Sequence, residues 1–334
     1  MKKTTWRSPK RRRFNNKAKK RAYRSRRWRE YNAALVQRGS LTLWVEPAVL
    51  EAWLNEERSG RRGASCTYTD TAISTGLTLK AVYHLPLRAT EGLLTSLVKL
   101  MGLEHLPVPD YSTLCRRQKT LQVALPRQHK GQAIHVVVDS TGCKIYGEGE
   151  WKVRQHGISK RRTWRKLHLA IDEVSGQIVG AVLSTNDVAD SAALPALLEQ
   201  VEEPIKQVSG DGGYDKRACY DTLRKRQEEQ EEPLRVTIPP RQGAHIWQHG
   251  NSKAQRLARD ENLRRVRQVG RQKWKEESGY HRRSLAETAM FRFKTICGDK
   301  LSARVFENQA AEAFIRCAAL NKMTQLGMPQ SYAT

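Results

Sequence analysis

Residues 133–142 read AIHVVVDSTG. Ile134, Val136 and Val138 alternate with His135 and Val137, and β-branched residues dominate. A run this short and this apolar is the pattern of a strand buried on both faces. It delivers Asp139, followed at once by Ser140, Thr141 and Gly142. An acid at the C-terminal end of a central strand is held rigidly and opens into the crevice beyond the sheet. Asp is equally a common turn starter, so this stretch alone leaves both readings open.

Outward from that strand, the chain turns basic through SKRRTWRK (residues 159–166), with Arg161 and Arg162 at its centre. A hairpin follows: WRKLHLAID (164–172), a turn at 173–176, then QIVGAVLST (177–185). Residues 186–198 begin a helix. IKQVSGDGGYD (205–215) is a short strand that delivers a second acid, Asp211, into a Gly-rich turn. Residues 216–232 form a charged amphipathic helix, and LRVTIPP (234–240) is a strand ended by prolines. Three antiparallel strands followed by alternating helices and strands make an α/β pattern. The order is similar to the ribonuclease-H-like fold, a mixed five-stranded sheet with flanking helices. There the first and fourth strands lie side by side, so Asp139 and Asp211 would meet.

Residues 241–279 read as a basic, loop-like insertion. Arg264, Arg265 and Arg267 in it suit contact with a nucleic-acid backbone. The stretch 279–296, GYHRRSLAETAMFRFKTI, is placed on a helix at about 100° per residue. Leu285, Ala289, Phe293 and Ile296 share one arc. Tyr280, Arg283, Glu287 and Lys294 share a roughly opposite one, together with Phe291. An ordinary solvated face explains an Arg283–Glu287 pair, but not Tyr280 and Lys294 at matching phase.

The N-terminal side is organised differently. Residues 1–29 hold fifteen Lys or Arg, including Arg11, Arg12 and Arg13, and no acid. A block of like charge repels itself and is expected to be a disordered, DNA-contacting arm. Residues 30–126 read as short helices, one of them over residues 51–58 and the last capped by Ser112. The basic exposed end at Arg116, Arg117 and Lys119 resembles a helix-turn-helix reader. Residues 126–130 read as a linker, and 127–334 as the α/β domain.

The net charge of +26 calls for a polyanionic partner. No apolar run approaches the ~18 residues that span a membrane, and the cationic start has no apolar core behind it. The six cysteines are scattered with no CxxC, which fits reduced thiols in a cytosolic protein rather than a disulfide framework or zinc site. The expected location is therefore cytoplasmic, nucleoid-associated in a bacterium, with no membrane partner.

The spacing Tyr280-x2-Arg283-x3-Glu287-x6-Lys294 resembles the Y-R-E-K motif of bacterial insertion-sequence DDE transposases. VVVDSTG (136–142), RTWRKLHLAID (162–172) and GDGGYD (210–215) agree with it, and the resemblance runs from about residue 30 onward. It implies Asp139, Asp211 and Glu287 as the catalytic, metal-holding acids, with Tyr280, Arg283 and Lys294 on DNA phosphates near the cut. Three carboxylates without a His or Cys set point to hard cations, two Mg²⁺ or Mn²⁺ ions. Asp139 would bridge both ions, with Asp211 and Glu287 holding one each. The implied partners are double-stranded DNA (terminal inverted repeats and target) and a second copy of the chain, as a homodimer or larger assembly on DNA. The implied reaction cleaves at the element's ends and joins the 3′-hydroxyls to target DNA. Two other readings stay open: a catalytically silent repressor that binds inverted repeats, and a structure-selective nuclease of the same fold. Trp151, Trp164 and Trp247 are candidates for base stacking or for the core. Asp172, Asp187, Asp190 and Asp215 are rival acids better suited to turns and helix starts.

Overall fold

The computed structural model describes residues 23–56, 67–127, 131–145, 164–248 and 256–333. At its centre is β2 (Ile134–Lys144), paired antiparallel with β3 (Trp164–Asp172), which pairs antiparallel with β4 (Ile178–Thr185). On its other side β2 runs parallel to β5 (Ile205–Ser209), and β5 parallel to β6 (Arg235–Thr237). The sheet order is β4-β3-β2-β5-β6. First and fourth strands are neighbours, as the ribonuclease-H-like order requires.

Alternation along β2 sorts its side chains between two apolar layers. Val136 and Val138 pack with Leu194 and Leu197 of α7 (Asp190–Leu198) and with Tyr220 and Leu223 of α8 (Arg217–Glu228). Val137 faces the other way. It joins Leu167, Leu169 and Ile171 against Ala289 and Phe293 of α11 (Ser284–Cys297) and Cys317 and Leu320 of α12 (Phe306–Leu326). The result is an α/β/α arrangement with a sheet buried on both faces. The free edge of β4 is covered by side-chain amides. Asn321 accepts from Ile178 N (2.7 Å) and donates to Ile178 O (2.7 Å), and Gln200 does the same for Ala181 (3.0 and 3.1 Å). Covering an edge this way removes a template for unwanted strand pairing.

Among the described residues, the N-terminal side carries six helices: α1 (Trp28–Gln37), α2 (Leu41–Trp44), α3 (Pro47–Glu51), α4 (Asp70–Val82), α5 (Leu87–Leu100) and α6 (Tyr111–Gln118). They share their core with α12. Leu79, Leu94 and Leu97 pack on Ala319 and Met323, and Ile73, Leu77 and Leu114 pack on Ile315. This helical region therefore closes on a helix from the C-terminal segment.

Several expectations need correction. Within the arm expected to be disordered, β1 (Tyr23–Arg26) pairs antiparallel with β7 (Gln330–Ala333). That long-range pairing leaves no trace in local composition. Residues 1–22 lie outside the described residues. The helix expected at 51–58 stops at Glu51. Trp53 is buried instead, its Nε1 donating to Pro107 O at 2.9 Å, and Leu54 bridges to Tyr68. Helix α6 is capped by Asp110, whose Oδ1 accepts from Thr113 N at 2.6 Å, while Ser112 only donates its hydroxyl to that same oxygen. The expected linker is pinned at Arg127, which pairs with Glu203 at 2.6 Å.

The largest correction is at 241–279, where the described residues include two helices, α9 (Ala258–Val269) and α10 (Arg271–Glu277). α9 buries Arg259 and Asp260 beside Leu263, and α10 buries Trp274. Arg259 donates to Asp215 Oδ1 (2.9 Å) and Asp260 Oδ1 (3.1 Å), and Asp260 accepts from the Trp247 and Gln248 amides.

Candidate active site

Asp139 lies inside β2, at the point where its parallel neighbour stops. Pairing with β5 ends at Val137↔Ser209, while pairing with β3 continues through Asp139↔Leu169 to Lys144↔Trp164. The expectation of a strand end is corrected accordingly. The acid is clamped by β3 on one side and open on the side β5 has vacated. By alternation, its side chain shares the face of Val137, beneath α11.

Asp211 follows two residues after β5 ends. It caps a 3-10 turn (Gly212–Tyr214), its Oδ1 accepting from Gly213 N at 2.8 Å. Gly210 has no room for a side chain: a Cβ there would stand 2.9 Å from Tyr214 Cδ2 and 3.1 Å from Val138 Cγ2. Tyr214 thus wedges the turn against β2. Its buried hydroxyl has no hydrogen-bond partner among the described residues.

Glu287 sits in the first turn of α11 and is more than half exposed. Tyr280 and Arg283 do not share its α-helix; they occupy a 3-10 segment (Tyr280–Arg283) that leads into it. Gly279, at φ 68°, sets the bend before that segment. Arg283 still reaches Glu287, because three- and four-residue spacings face the same side across the junction. Its Nη1 donates to Asp139 Oδ2 at 2.7 Å and its Nη2 to Glu287 Oε1. The Tyr280 ring centroid lies 5.9 Å from the Arg283 guanidinium carbon. Lys294, half-buried, is two turns beyond Glu287, about 10 Å along the helix. Phe291, 68% exposed, lies between them.

The electrostatics follow from this convergence. Burial pushes the Asp139 carboxyl up from its ordinary value. The Ser140 N–H and Arg283 hold it back, while Asp211 and Glu287 push it further. Burial likewise raises the Tyr280 phenol, against the pull of Arg283. Burial alone would lower Arg283, but Tyr280, Asp139, Glu287 and Asp211 outweigh it, so its guanidinium is more firmly charged than usual. Asp211 acts on Asp139, Tyr280 and Arg283 alike, which places all three acids in one field.

Among the described residues no three His, Cys, Asp or Glu are gathered into a cluster that could hold a metal ion. Asp139 and Glu287 are instead held by Arg283, which supplies positive charge between them. The donor set is nonetheless all carboxylate oxygen, the chemistry that Mg²⁺ and Mn²⁺ take. Asp211 commits only Oδ1 to its turn.

The other basic candidates are placed unevenly. Arg11, Arg12, Arg13, Arg161 and Arg162 lie outside the described residues, as does Trp151. Arg117 is drawn inward, to Asp70 at 2.6 Å and Tyr68 O at 2.8 Å, whereas Arg116 is exposed and donates to Thr113. Arg265 is held bidentately by Glu277 (2.8 and 2.9 Å). Arg264 and Arg267 donate to the carbonyls of Gln248 and Ala244. Trp247 is packed, with the Arg259 guanidinium carbon 3.7 Å from its ring centroid and Tyr220 edge-on at 5.7 Å. Among the rival acids, Asp172 is occupied by Val174 and Ser175, Asp190 by Lys166 and Asp215 by Arg259. The wedge role of Tyr214 and the buried Arg259 were not read from sequence. The only signal for either was membership of the GDGGYD block and a charged stretch.

A family model described as a transposase DDE domain matches residues 130–322, more than half of the chain, and a second of the same description matches 36–148. The chain is also similar to a piggyBac transposase, whose cryo-EM structure is a synaptic complex with hairpin DNA. That match is 9% identical, covers 86% of this chain and 73% of that one, and has a TM-score of 0.37. No helix among the described residues is long and apolar enough to cross a membrane. On the family match, with the mixed sheet described above, the chain belongs to the DDE transposases, enzymes that cleave DNA.

Proposed function

We propose that Asp139, Asp211 and Glu287 are the catalytic carboxylates of an insertion-sequence transposase that cuts at its element's terminal inverted repeats and joins the 3′-hydroxyls to target DNA. The observation that carries this reading is the meeting of Asp139 and Glu287, from a strand and a distant helix, on one guanidinium, with Asp211 in the same field. Two divalent cations, Mg²⁺ or Mn²⁺, would when bound activate the attacking oxygen and stabilise the leaving one in an in-line displacement. Asp139, central and rigid, would hold them together with Asp211 and Glu287. Arg283 would then turn from the acids to a phosphate of the DNA end, which its planar fork can grip bidentately. Tyr280 would orient that guanidinium, and Lys294 would take a phosphate further along α11. The helices of residues 30–126 would read the end sequence.

The test is a labelled duplex bearing the element's own terminus, incubated with purified protein, Mg²⁺ and a supercoiled target plasmid. Joined products support the reading. Cutting without joining supports a nuclease, and specific binding without cutting a repressor.

A further inference from the structure

Arg283 occupies carboxylate oxygens that divalent cations would need. Its Nη1 donates to Asp139 Oδ2 at 2.7 Å and its Nη2 to Glu287 Oε1. The other Asp139 oxygen, Oδ1, accepts from Ser140 N at 2.8 Å, and Asp211 Oδ1 accepts from Gly213 N at 2.8 Å. Those two donors are backbone amides, fixed by a strand and a turn. The guanidinium is the donor that a side-chain rotation can remove. Arg282, one residue earlier, is committed to Glu173 on the β3–β4 turn and does not share the task. The bridge is open to solvent: the Arg283 side chain is 20% exposed and that of Glu287 58%. A guanidinium and a divalent ion repel each other at contact distance, so they compete for the same two acids. A DNA phosphate has the charge and the paired oxygens to draw the planar fork away from them.

We infer that Arg283 is an autoinhibitory gate that makes cation binding depend on DNA. In one state it bridges Asp139 and Glu287, and the acids hold divalent ions weakly. In the other it grips a phosphate, and the same oxygens are free. Each ligand favours the second state, so each tightens the other by the same factor. The three acids are then loaded with ions only where DNA is already engaged, which keeps the unbound protein from idle hydrolysis. The inference rests on the reading of Asp139, Asp211 and Glu287 as the metal-holding acids, and adds to it a role for Arg283 before DNA arrives.

The experiment measures Mn²⁺ binding to the full chain from the paramagnetic resonance signal of the free ion, without DNA and with a duplex that ends at the element's already cut terminus. The proteins are wild type, Arg283→Gln, Arg283→Lys and Asp139→Asn. The last, with the same duplex, reads the ions taken up elsewhere on protein and DNA. Arg283→Lys keeps the charge but cannot fork to both acids, so it separates the bridge from plain repulsion and tests the gate even where Arg283→Gln does not fold. In the wild type, DNA is expected to tighten Mn²⁺ by about 5–150-fold, the usual range of coupling between sites, and Mn²⁺ to tighten DNA equally. Without DNA, both Arg283 variants should bind Mn²⁺ more tightly than the wild type, and DNA should add less to either. If neither variant exceeds the wild type without DNA, or the DNA effect stays as large in them, while Asp139→Asn lacks the site, the gate is overturned and the acids remain the ligands. Equal Mn²⁺ binding by wild type and Asp139→Asn, with DNA and without, overturns the acids as ligands and the gate with them.

Discussion

Arg283 Nη1 donates to Asp139 Oδ2 at 2.7 Å, and the same guanidinium holds Glu287. One cation therefore bridges two acids that would otherwise repel each other at close quarters, and offsets half of their charge. Arg283→Gln is expected to destabilise the metal-free protein by about 1–3 kcal/mol, the range for losing charged hydrogen bonds. Adding Mg²⁺ should shrink that loss, because divalent ions supply the missing charge. Chemical denaturation with and without Mg²⁺ measures both.

Asp139 gives a pH-dependent prediction. Its folded-state pKa is raised, chiefly by burial. The folded protein therefore binds protons that the unfolded chain does not, and the penalty of the ionised form is fully present above the folded pKa and absent below the unfolded one. Asp139→Asn, which can still accept from Arg283, should be more stable than wild type at pH 7. The advantage should vanish as pH falls below about 4, the unfolded carboxylate value. Melting curves across pH 3–8 read this directly. A stabilised but inactive variant is what a site built for chemistry rather than stability predicts.

Gly210 tests the wedge under Asp211. In Gly210→Ala the new Cβ must displace the Tyr214 ring or the Val138 side chain. Overpacking of that kind costs about 1–3 kcal/mol, and here it also shifts the turn that aims Asp211. Gly180→Ala is the control. Its Cβ would meet Leu197 O at 2.8 Å, a clash between the sheet and α7 away from the acids. Both variants should lose stability, but only Gly210→Ala should lose DNA cleavage beyond what its unfolding explains.

Arg259 is buried between Asp215 and Asp260. Arg259→Met removes the cation and leaves two carboxylates uncompensated, a loss of about 3–5 kcal/mol. It also removes the guanidinium stacked on Trp247. Urea denaturation should show the loss.

What the sequence disclosed, and what it hid, has a common cause. The sheet was legible because β2 to β5 carry β-branched runs bounded by Gly and by acids, and because short local patterns decide strands buried on both faces. The nearness of the strand that carries Asp139 and the strand that leads to Asp211 was then a consequence of strand order. Helices α9 and α10 were illegible because their buried side is Arg259 and Asp260 as much as Leu263 and Trp274. An ion pair replaces the apolar period that marks a helix. The 3-10 entry to α11 was read as α-helix because Tyr280, Arg283 and Glu287 fall on one side in either geometry. The pairing of β1 with β7 and the partner of Arg117 depend on contacts distant in the chain, which no local pattern records.

The most direct test of the account is the rate of cleavage at the element's terminus for wild type, Asp139→Asn, Asp211→Asn and Glu287→Gln, in Mg²⁺, in Mn²⁺ and in EDTA, with DNA affinity measured alongside. The three-carboxylate site predicts metal-dependent cutting by the wild type, none in EDTA, and rates lower by at least about a hundredfold in each variant, equivalent to roughly 2.7 kcal/mol or more of barrier, with DNA binding retained. Cutting in EDTA, or wild-type rates in any of the three variants, would contradict it.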